Sequence, residues 1–267
     1  MKVIRIRKDN AAYQQIVALR DNRSKRSKMQ MFYVEGIQNI KDALSNGWEI
    51  EAFIYSEATE LSRWAKGVIH KANINYVLSD DLMKNLCGKT DTCELVAIVK
   101  MRECPEYAAE EKPLFVLLDR PSKKGNLGTI IRSCDAFHVT KIFYSGHGVD
   151  IYDPAVITAS MGSFFKLPIE FVGSNEEYQS LVEELKDRYK GLKVVATSLQ
   201  ADATIYESKL NMPVLLLVGN ETNGLTHFYT ENADERIIIP MKEGIDSLNV
   251  ACAATVCLYE INRQRAQ

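Results

Sequence analysis

Apolar runs of strand length alternate with helix-like stretches along most of the chain. The first part predicts strands at residues 31–34, 50–55, 74–78 and 94–99, and helices at 37–44, 60–71 and from residue 80. Further strand-like runs follow at 114–118, 141–144, 169–172, 192–196, 214–218 and 237–240, and an apolar helix is predicted at 250–261. Strands that alternate with helical segments in this way predict the α/β class.

The run at residues 114–118 is almost continuously apolar, as expected of a parallel strand that is buried on both faces. The stretch before it, residues 102–113, is charged, contains two prolines and lacks apolar periodicity. Such a stretch is typical of a linker. We therefore predict a smaller α/β domain at 1–102, a linker at 103–113 and a domain with a parallel sheet at 114–267.

The composition excludes several classes of protein. The chain has 267 residues, of which 46% are hydrophobic and 25% charged, so disorder and collagen-like repeats are excluded. Its six cysteines form no CxxC pair and no zinc-ligand spacing with histidine, so we interpret them as reduced core thiols and expect no metal. The first residues lack the apolar segment of a signal peptide, and no apolar run approaches the ~18 residues of a membrane span. We therefore expect a cytoplasmic protein.

The net charge of −2 hides an uneven distribution. Residues 1–32 carry nine bases and only two acids, so a basic arm precedes an acidic body. A solvated, fraying terminus would explain this arm, but clustered bases also bind polyanions by releasing counterions from phosphates. The candidate contacts to nucleic acid are Arg20, Arg23, Lys25, Arg26 and Lys28.

Three polar segments follow apolar runs, at residues 119–132, 219–224 and 240–249. Ligands of open parallel sheets bind beyond the carboxyl ends of the strands, so these segments are the candidate site. The first segment has bases and two glycines at a helix start and could cradle an anion, but it is neither a P-loop nor a dinucleotide fingerprint. Helix caps and a plain β-turn remain the alternative explanation for all three.

Taken together, the three segments resemble the motifs of the SpoU (TrmH) family of RNA ribose 2′-O-methyltransferases, within the SPOUT superfamily. The resemblance is carried by Asn-Leu-Gly-Thr-Ile-Ile-Arg at 126–132, Leu-Val-Gly-Asn-Glu-Thr-Asn-Gly-Leu at 217–225 and Ile-Pro-Met-Lys-Glu-Gly-Ile-Asp-Ser-Leu-Asn-Val-Ala at 239–251. Tyr-Val-Glu-Gly at 33–36 resembles the amino-terminal substrate-binding domain of the family, which is similar to small ribosomal RNA-binding proteins.

The resemblance implies a deep trefoil knot in the SPOUT domain and S-adenosylmethionine as the cofactor. The implied catalytic residues are Asn126, Arg132, Glu221, Ser247 and Asn249. By position, Gly219, Ile239 and Leu248 match cofactor contacts of the family. Thr197, Met241 and Ser247 lie on strand ends or loops suited to the same pocket.

The implied reaction is in-line attack of a ribose 2′-hydroxyl on the sulfonium methyl of the cofactor. A guanidinium holds its proton too tightly to be a good base, so we expect Arg132 to orient the hydroxyl by forked hydrogen bonds, with proton abstraction as the alternative. Family members usually form homodimers, which implies that Arg132 acts on a site in the partner subunit.

The added amino-terminal domain resembles the branch of the family that modifies ribosomal RNA, so ribosomal RNA is the expected partner. A tRNA ribose methyltransferase and a catalytically silent RNA-binding or assembly factor are the alternatives. If the basic arm contacts RNA, removal of residues 1–29 should weaken RNA binding and leave cofactor affinity unchanged.

Two positions depart from the family pattern. The glycine of the third motif usually lies two places after the methionine, whereas here Lys242 and Glu243 precede Gly244. Thr158 occupies a position in the segment 153–162 where arginine is common. We therefore expect a different loop shape near the cofactor and a changed RNA contact at Thr158.

Overall fold

The computed structural model describes residues 2–88, 93–245 and 247–266. The chain divides into two compact units, one of Met1–Glu103 with Asp150–Lys166 and one of Cys104–Val149 with Leu167–Gln267. This division falls near the predicted linker. It differs from the prediction for Asp150–Lys166, which we expected in the second domain and which clusters with the first unit.

The first unit contains a five-stranded mixed sheet with the order β1-β4-β3-β5-β2. Its strands are β1 (Lys2–Ile6), β2 (Met31–Glu35), β3 (Ile50–Ser56), β4 (Ile74–Leu78) and β5 (Val96–Lys100). Its helices are α1 (Ala11–Asp21), α2 (Arg23–Met29), α3 (Ile37–Ser45), α4 (Arg63–Val68), α5 (Asp80–Cys87) and α7 (Pro154–Ser160). β4 is parallel to β1 and β3, whereas β5 is antiparallel to β3 and β2.

The amino-terminal segment is folded, which corrects the prediction of a basic arm. β1 is an edge strand that pairs with β4, and Asn10 and Asn22 cap the helices α1 and α2 with their side chains. Ile6, Ile16 and Leu19 are buried in the core of this unit. Removal of residues 1–29 would therefore take away a strand and core side chains, so it would not isolate an effect on RNA binding.

The second unit contains a seven-stranded sheet in which every described strand pair is parallel, with the order β10-β12-β9-β11-β6-β7-β8. Its strands are β6 (Leu114–Asp119), β7 (Lys141–Ser145), β8 (Ile169–Val172), β9 (Lys193–Thr197), β10 (Ala203–Thr204), β11 (Val214–Val218) and β12 (Glu235–Ile238). Its helices are α6 (Lys124–Ala136), α8 (Asn175–Arg188), α9 (His227–Glu231) and α10 (Val250–Arg265). The predicted parallel α/β sheet is confirmed, and the short elements β10 and α9 were not predicted.

The two most apolar strands lie side by side in the middle of this sheet. Every residue of β6 and β11 is buried, as the continuous apolar runs predicted. The chain runs outward from β6 to β8 and continues from β9 on the other side, and β11 fills the position between β9 and β6. This is a topological switch point, where ligands of open parallel sheets bind.

The cysteines only partly match the prediction of core thiols. Cys134 and Cys257 are buried, whereas Cys252 is exposed and the other three are partly exposed. All six lie within the described residues, and none forms a disulfide. Among the described residues, no helix combines the length and the apolar character that a membrane crossing needs.

Candidate active site

A chain of hydrogen bonds joins the segments that follow β6, β11 and β12. Asn126 Nδ2 donates to Glu221 Oε1 at 3.1 Å, and Asn249 Nδ2 donates to Asn126 Oδ1 at 3.1 Å. Asn249 Oδ1 accepts the backbone N–H of Ala251 at 2.9 Å and so caps α10. The structure thus brings together Asn126, Glu221 and Asn249 at the carboxyl edge of the parallel sheet. We refer to these three residues as the polar chain.

Glu221 also holds the beginning of α6. Its carboxylate accepts the backbone N–H groups of Ser122 and Lys123, both at 3.0 Å, and the hydroxyl of Ser122. Partial burial opposes ionisation, but the hydrogen bonds from Ser122 and Asn126 outweigh it and lower the pKa of Glu221 below its ordinary value. The carboxylate is therefore an ionised acceptor at neutral pH, well placed at the positive end of a helix and poorly suited to take a proton.

A second network, which the sequence did not predict, fixes the loop that carries Glu221. Buried Asp119 accepts two hydrogen bonds from the guanidinium of Arg120 and one from the backbone N–H of Thr226. The Arg120 carbonyl accepts from Asn220 Nδ2 at 2.6 Å, and its guanidinium reaches the Gly224 carbonyl at 3.3 Å. The sequence signal for this network is the Asp119–Arg120 pair at the end of a buried strand.

Arg132 lies apart from the polar chain. It follows Asn126 by six residues on α6, which separates the two by about 9 Å along the helix axis and by about 120° around it. The side chain is exposed and makes no hydrogen bond or ion pair with any residue that the structure describes. Within one chain, Asn126 and Arg132 therefore do not face the same point.

The predicted cofactor residues lie where β9, β11 and β12 end: Thr197 is the last residue of β9, and the others follow β11 or β12. Thr197 is partly buried, and its hydroxyl donates to the Leu217 carbonyl at 3.1 Å. The other residues of this set are Gly219, Ile239 and Met241, which are partly buried, and Ser247 and Leu248, which are exposed. Two further apolar residues follow the same strands and were not predicted as cofactor contacts. Leu199, after β9, is 66% exposed, and Ile245, after β12, is 53% exposed.

The predicted RNA contacts are divided between surface and core. Arg23, Lys25 and Lys28 are exposed on α2. Arg20 is partly exposed, pairs with Asp21 and donates to backbone carbonyls at the end of α5. Arg26 requires a correction, because it is 2% exposed and its guanidinium is bound by other groups of the first unit. It therefore cannot reach an RNA phosphate.

Both departures from the family pattern are located in the structure. Gly244 has a φ of +85°, in the left-handed region that favours glycine, and it lies in a turn that the bond from Ile245 N to the Lys242 carbonyl closes at 3.2 Å. The shifted glycine is thus the residue that allows this turn. Thr158 is exposed on α7.

The fold and the site define a class of protein: a parallel α/β domain with a polar site at its switch point, in a chain that also carries a mixed α/β unit. Residues 113–259 match the SpoU rRNA methylase family and residues 10–97 match the SpoU L30e-like domain. The chain belongs to the SpoU rRNA methylase family.

Relatives match this chain over nearly their full length. It is 37% identical over 265 residues to the 23S rRNA (uridine(2479)-2′-O)-methyltransferase of Streptomyces viridochromogenes, covering 98% of this chain and 92% of that protein. It is 28% identical to the 23S rRNA (guanosine(2553)-2′-O)-methyltransferase RlmP of Bacillus subtilis, covering 90% and 91%. The crystal structure of the SpoU methyltransferase AviRb from Streptomyces viridochromogenes, in complex with AdoMet, superposes with a TM-score of 0.91 at 36% identity, covering 97% of this chain and 99% of that one.

Proposed function

We propose that this protein transfers a methyl group from S-adenosylmethionine to a ribose 2′-hydroxyl of ribosomal RNA. The observation that carries the proposal is the polar chain, which places an oriented amide at the switch point of a SpoU-type sheet. Two relatives that this chain covers over more than nine tenths of their length are named 23S rRNA 2′-O-methyltransferases. A similar solved structure, of a SpoU methyltransferase, contains AdoMet. A ribosomal RNA substrate favours a cytoplasmic location. The trefoil knot that the family resemblance implies stays a prediction.

The residues at the strand ends fit S-adenosylmethionine. Leu199, Ile245 and Leu248 expose apolar surface on the segments that follow β9 and β12, and a nucleoside would cover such surface. Gly219 and the backbone near Ile239 supply polar groups at the carboxyl ends of β11 and β12. When bound, the cofactor supplies an electrophilic methyl group on a sulfonium ion.

Substitution of Gly219 by alanine tests the proposed cofactor site. A Cβ at this position would lie 2.3 Å from the Gly224 carbonyl carbon and from Leu225 N, so Gly219→Ala must displace the loop that carries Glu221. We expect cofactor affinity to fall at least tenfold, equivalent to about 1.4 kcal/mol, in isothermal titration calorimetry. Gly67→Ala is the matched control, because its Cβ would meet open space on α4, and it should leave the affinity unchanged. Unchanged affinity in Gly219→Ala would contradict this assignment.

Asn126 is the group that binds the ribose hydroxyl. Its amide has two N–H donors and an oxygen with two lone pairs. Glu221 takes one donor and Asn249 takes one lone pair, so among the described contacts one donor and one lone pair remain for a substrate. The two fixed bonds hold the amide in one orientation. Such a group holds the hydroxyl in line with the methyl group. Positioning of two reactants lowers the activation barrier by up to ~7–11 kcal/mol, and this alignment contributes to that effect.

We infer that the protein is a homodimer in which α10 meets a second copy. Cys252, Val256 and Tyr259 form an exposed stripe at helical spacing on α10, with Val256 39% and Tyr259 57% exposed. α10 packs on α6 through the Ser133–Thr255 hydrogen bond of 2.7 Å. Arg132 therefore belongs to the same helix pair as the stripe, and dimerisation would carry it to the partner subunit's site.

The exposed bases of α2 supply the contact to RNA phosphates. We expect Lys25→Glu with Lys28→Glu to weaken RNA binding at least tenfold and to lower the slope of log K against log salt by about two. Filter binding at several salt concentrations measures both. Lys190→Glu with Lys209→Glu changes the charge equally at exposed lysines of the second unit and serves as the control. Equal losses in the two double variants would refute a local contact at α2.

The function itself is tested with labelled S-adenosylmethionine and unmodified ribosomal RNA or tRNA, followed by mapping of the methylated nucleoside. We expect a 2′-O-methyl mark at one ribosomal RNA position, abolished in Asn126→Ala. Transfer to tRNA alone would replace the substrate assignment. Absence of transfer to either RNA, with the cofactor still bound, would overturn the proposed activity in favour of an RNA-binding role.

A further inference from the structure

Two cysteines and a glutamate of the first unit lie together, far in the sequence from the polar chain. Glu35 ends β2, Cys87 is the last residue of α5, and Cys93 lies three residues before β5. The two sulfur atoms are 3.6 Å apart, and the three donor atoms all lie within 4.8 Å of one another. Each of these residues is partly buried, so a small ion can reach the group from solvent.

The spacing of the donor atoms suits a tetrahedral metal ion. Zinc binds thiolate sulfur at about 2.3 Å, so two such ligands on a tetrahedron are separated by about 3.8 Å. The observed sulfur–sulfur distance of 3.6 Å needs only a small adjustment to reach this value. Two thiolates and a carboxylate are also ligands that Zn²⁺ accepts, whereas Ca²⁺ and Mg²⁺ prefer oxygen alone.

Helices and strands hold the three ligands in place. β2 and β5 pair in antiparallel register with Glu35 opposite Val96. This pairing brings the glutamate close to the short segment that connects Cys93 to β5. Gly88, in the left-handed conformation, ends α5 directly after Cys87. The hydroxyl of fully buried Tyr33 donates to Glu35 Oε2 at 3.2 Å. Such a bond orients a carboxylate in the way that outer-shell partners orient metal ligands.

We propose that Glu35, Cys87 and Cys93 bind one Zn²⁺ ion, with a water molecule as the fourth ligand. The proposal is independent of methyl transfer, because the cluster belongs to the L30e-like unit. On binding, the two thiols release their protons to solvent and the metal takes their place. The ion links α5 to the β2–β5 pair and stabilises the folded unit by mass action.

No pattern in the sequence indicates this metal site. Five residues separate Cys87 from Cys93, a spacing outside the common zinc motifs, and Glu35 lies 52 positions before Cys87. Only the antiparallel pairing of β2 with β5 brings the carboxylate to the thiols.

The test uses the full chain, stripped with a chelator, kept reduced with a phosphine and titrated with Zn²⁺ or Co²⁺. We expect one equivalent to bind and Co²⁺ to give thiolate charge-transfer absorption. Cys87→Ser and Cys93→Ser should each lower Zn²⁺ affinity at least tenfold and reduce this absorption. Glu35→Gln should lower the affinity and keep the absorption, since both thiolates remain. Cys104→Ser, at another partly buried cysteine, is the control and should bind as the wild type does.

A second measurement needs no variant and therefore does not depend on how the variants fold. Zn²⁺ should protect Cys87 and Cys93 from alkylation by N-ethylmaleimide, mapped by mass spectrometry, while partly exposed Cys104, outside the cluster, reacts equally with and without the metal. Equal alkylation of Cys87 and Cys93 in both conditions would overturn the proposal. It would also be overturned if glutathione disulfide joined the two cysteines equally fast with and without Zn²⁺.

Discussion

Replacement of Arg132 by alanine is expected to lower the turnover of methyl transfer by about 10²–10³-fold, the usual cost of removing one charge-stabilising donor from an active site. Cofactor affinity should stay unchanged, because Arg132 is not among the predicted cofactor contacts, which lie at the ends of β9, β11 and β12. Arg132→Lys keeps the charge and loses the planar fork, so it should still lose at least tenfold. Single-turnover assays with labelled cofactor measure these losses. Full retention of turnover by the lysine variant would contradict a role for fork geometry.

Mixed dimers show on which site Arg132 acts. In a dimer of one Arg132→Ala chain and one Asn126→Ala chain, action across the interface leaves one site intact and places both lesions in the other. Random mixing then restores about a quarter of the wild-type sites, since half of the dimers are mixed and each has one good site. Action within one chain leaves a lesion in every site, so the mixture would stay inactive. That outcome would refute the inferred exchange of Arg132 between subunits.

The central strands of the second unit could be predicted, because a strand that is buried on both faces needs an unbroken run of apolar residues. β6 and β11 read as unbroken apolar runs and are buried throughout. The sequence of β1 also contains a strand pattern, since Ile4 and Ile6 alternate with Arg5 and Arg7, but the positive charge of the segment favours its interpretation as an arm. Its pairing with β4, about 70 residues away, is a tertiary contact that local pattern does not contain.

The sequence motifs predicted five catalytic residues, of which hydrogen bonds join three in the structure. The motifs named Asn126, Glu221 and Asn249, and the structure brings the three together. They did not indicate that Glu221 binds the beginning of α6, since that bond depends on how the loop after β11 approaches the loop after β6. Arg132 could be named from its motif, but its position 120° around the helix follows only from where α6 begins.

Arg26 illustrates a prediction from charge that structure reverses. Its Nε donates to Asp150 Oδ2 at 2.7 Å, its Nη2 lies 3.7 Å from Asp153 Oδ2, and its Nη1 donates to two backbone carbonyls in the α1–α2 region. The two aspartates follow Arg26 by more than 120 residues, so no local pattern could connect them. We expect Arg26→Ala to lower the free energy of unfolding by about 3–5 kcal/mol, because it leaves two largely buried carboxylates without this cation.

Urea unfolding followed by circular dichroism measures this effect, with Lys28→Ala as the control on the exposed face of the same helix. The control should change stability by less than about 0.5 kcal/mol. A double-mutant cycle separates the ion pair from the packing of the Arg26 side chain. If the pair is responsible, Asp150→Asn should cost less in the Arg26→Met background than in the wild type. Equal costs in the two backgrounds would mean that Arg26 stabilises the unit through its backbone-directed hydrogen bonds and its packing, and not through the aspartates.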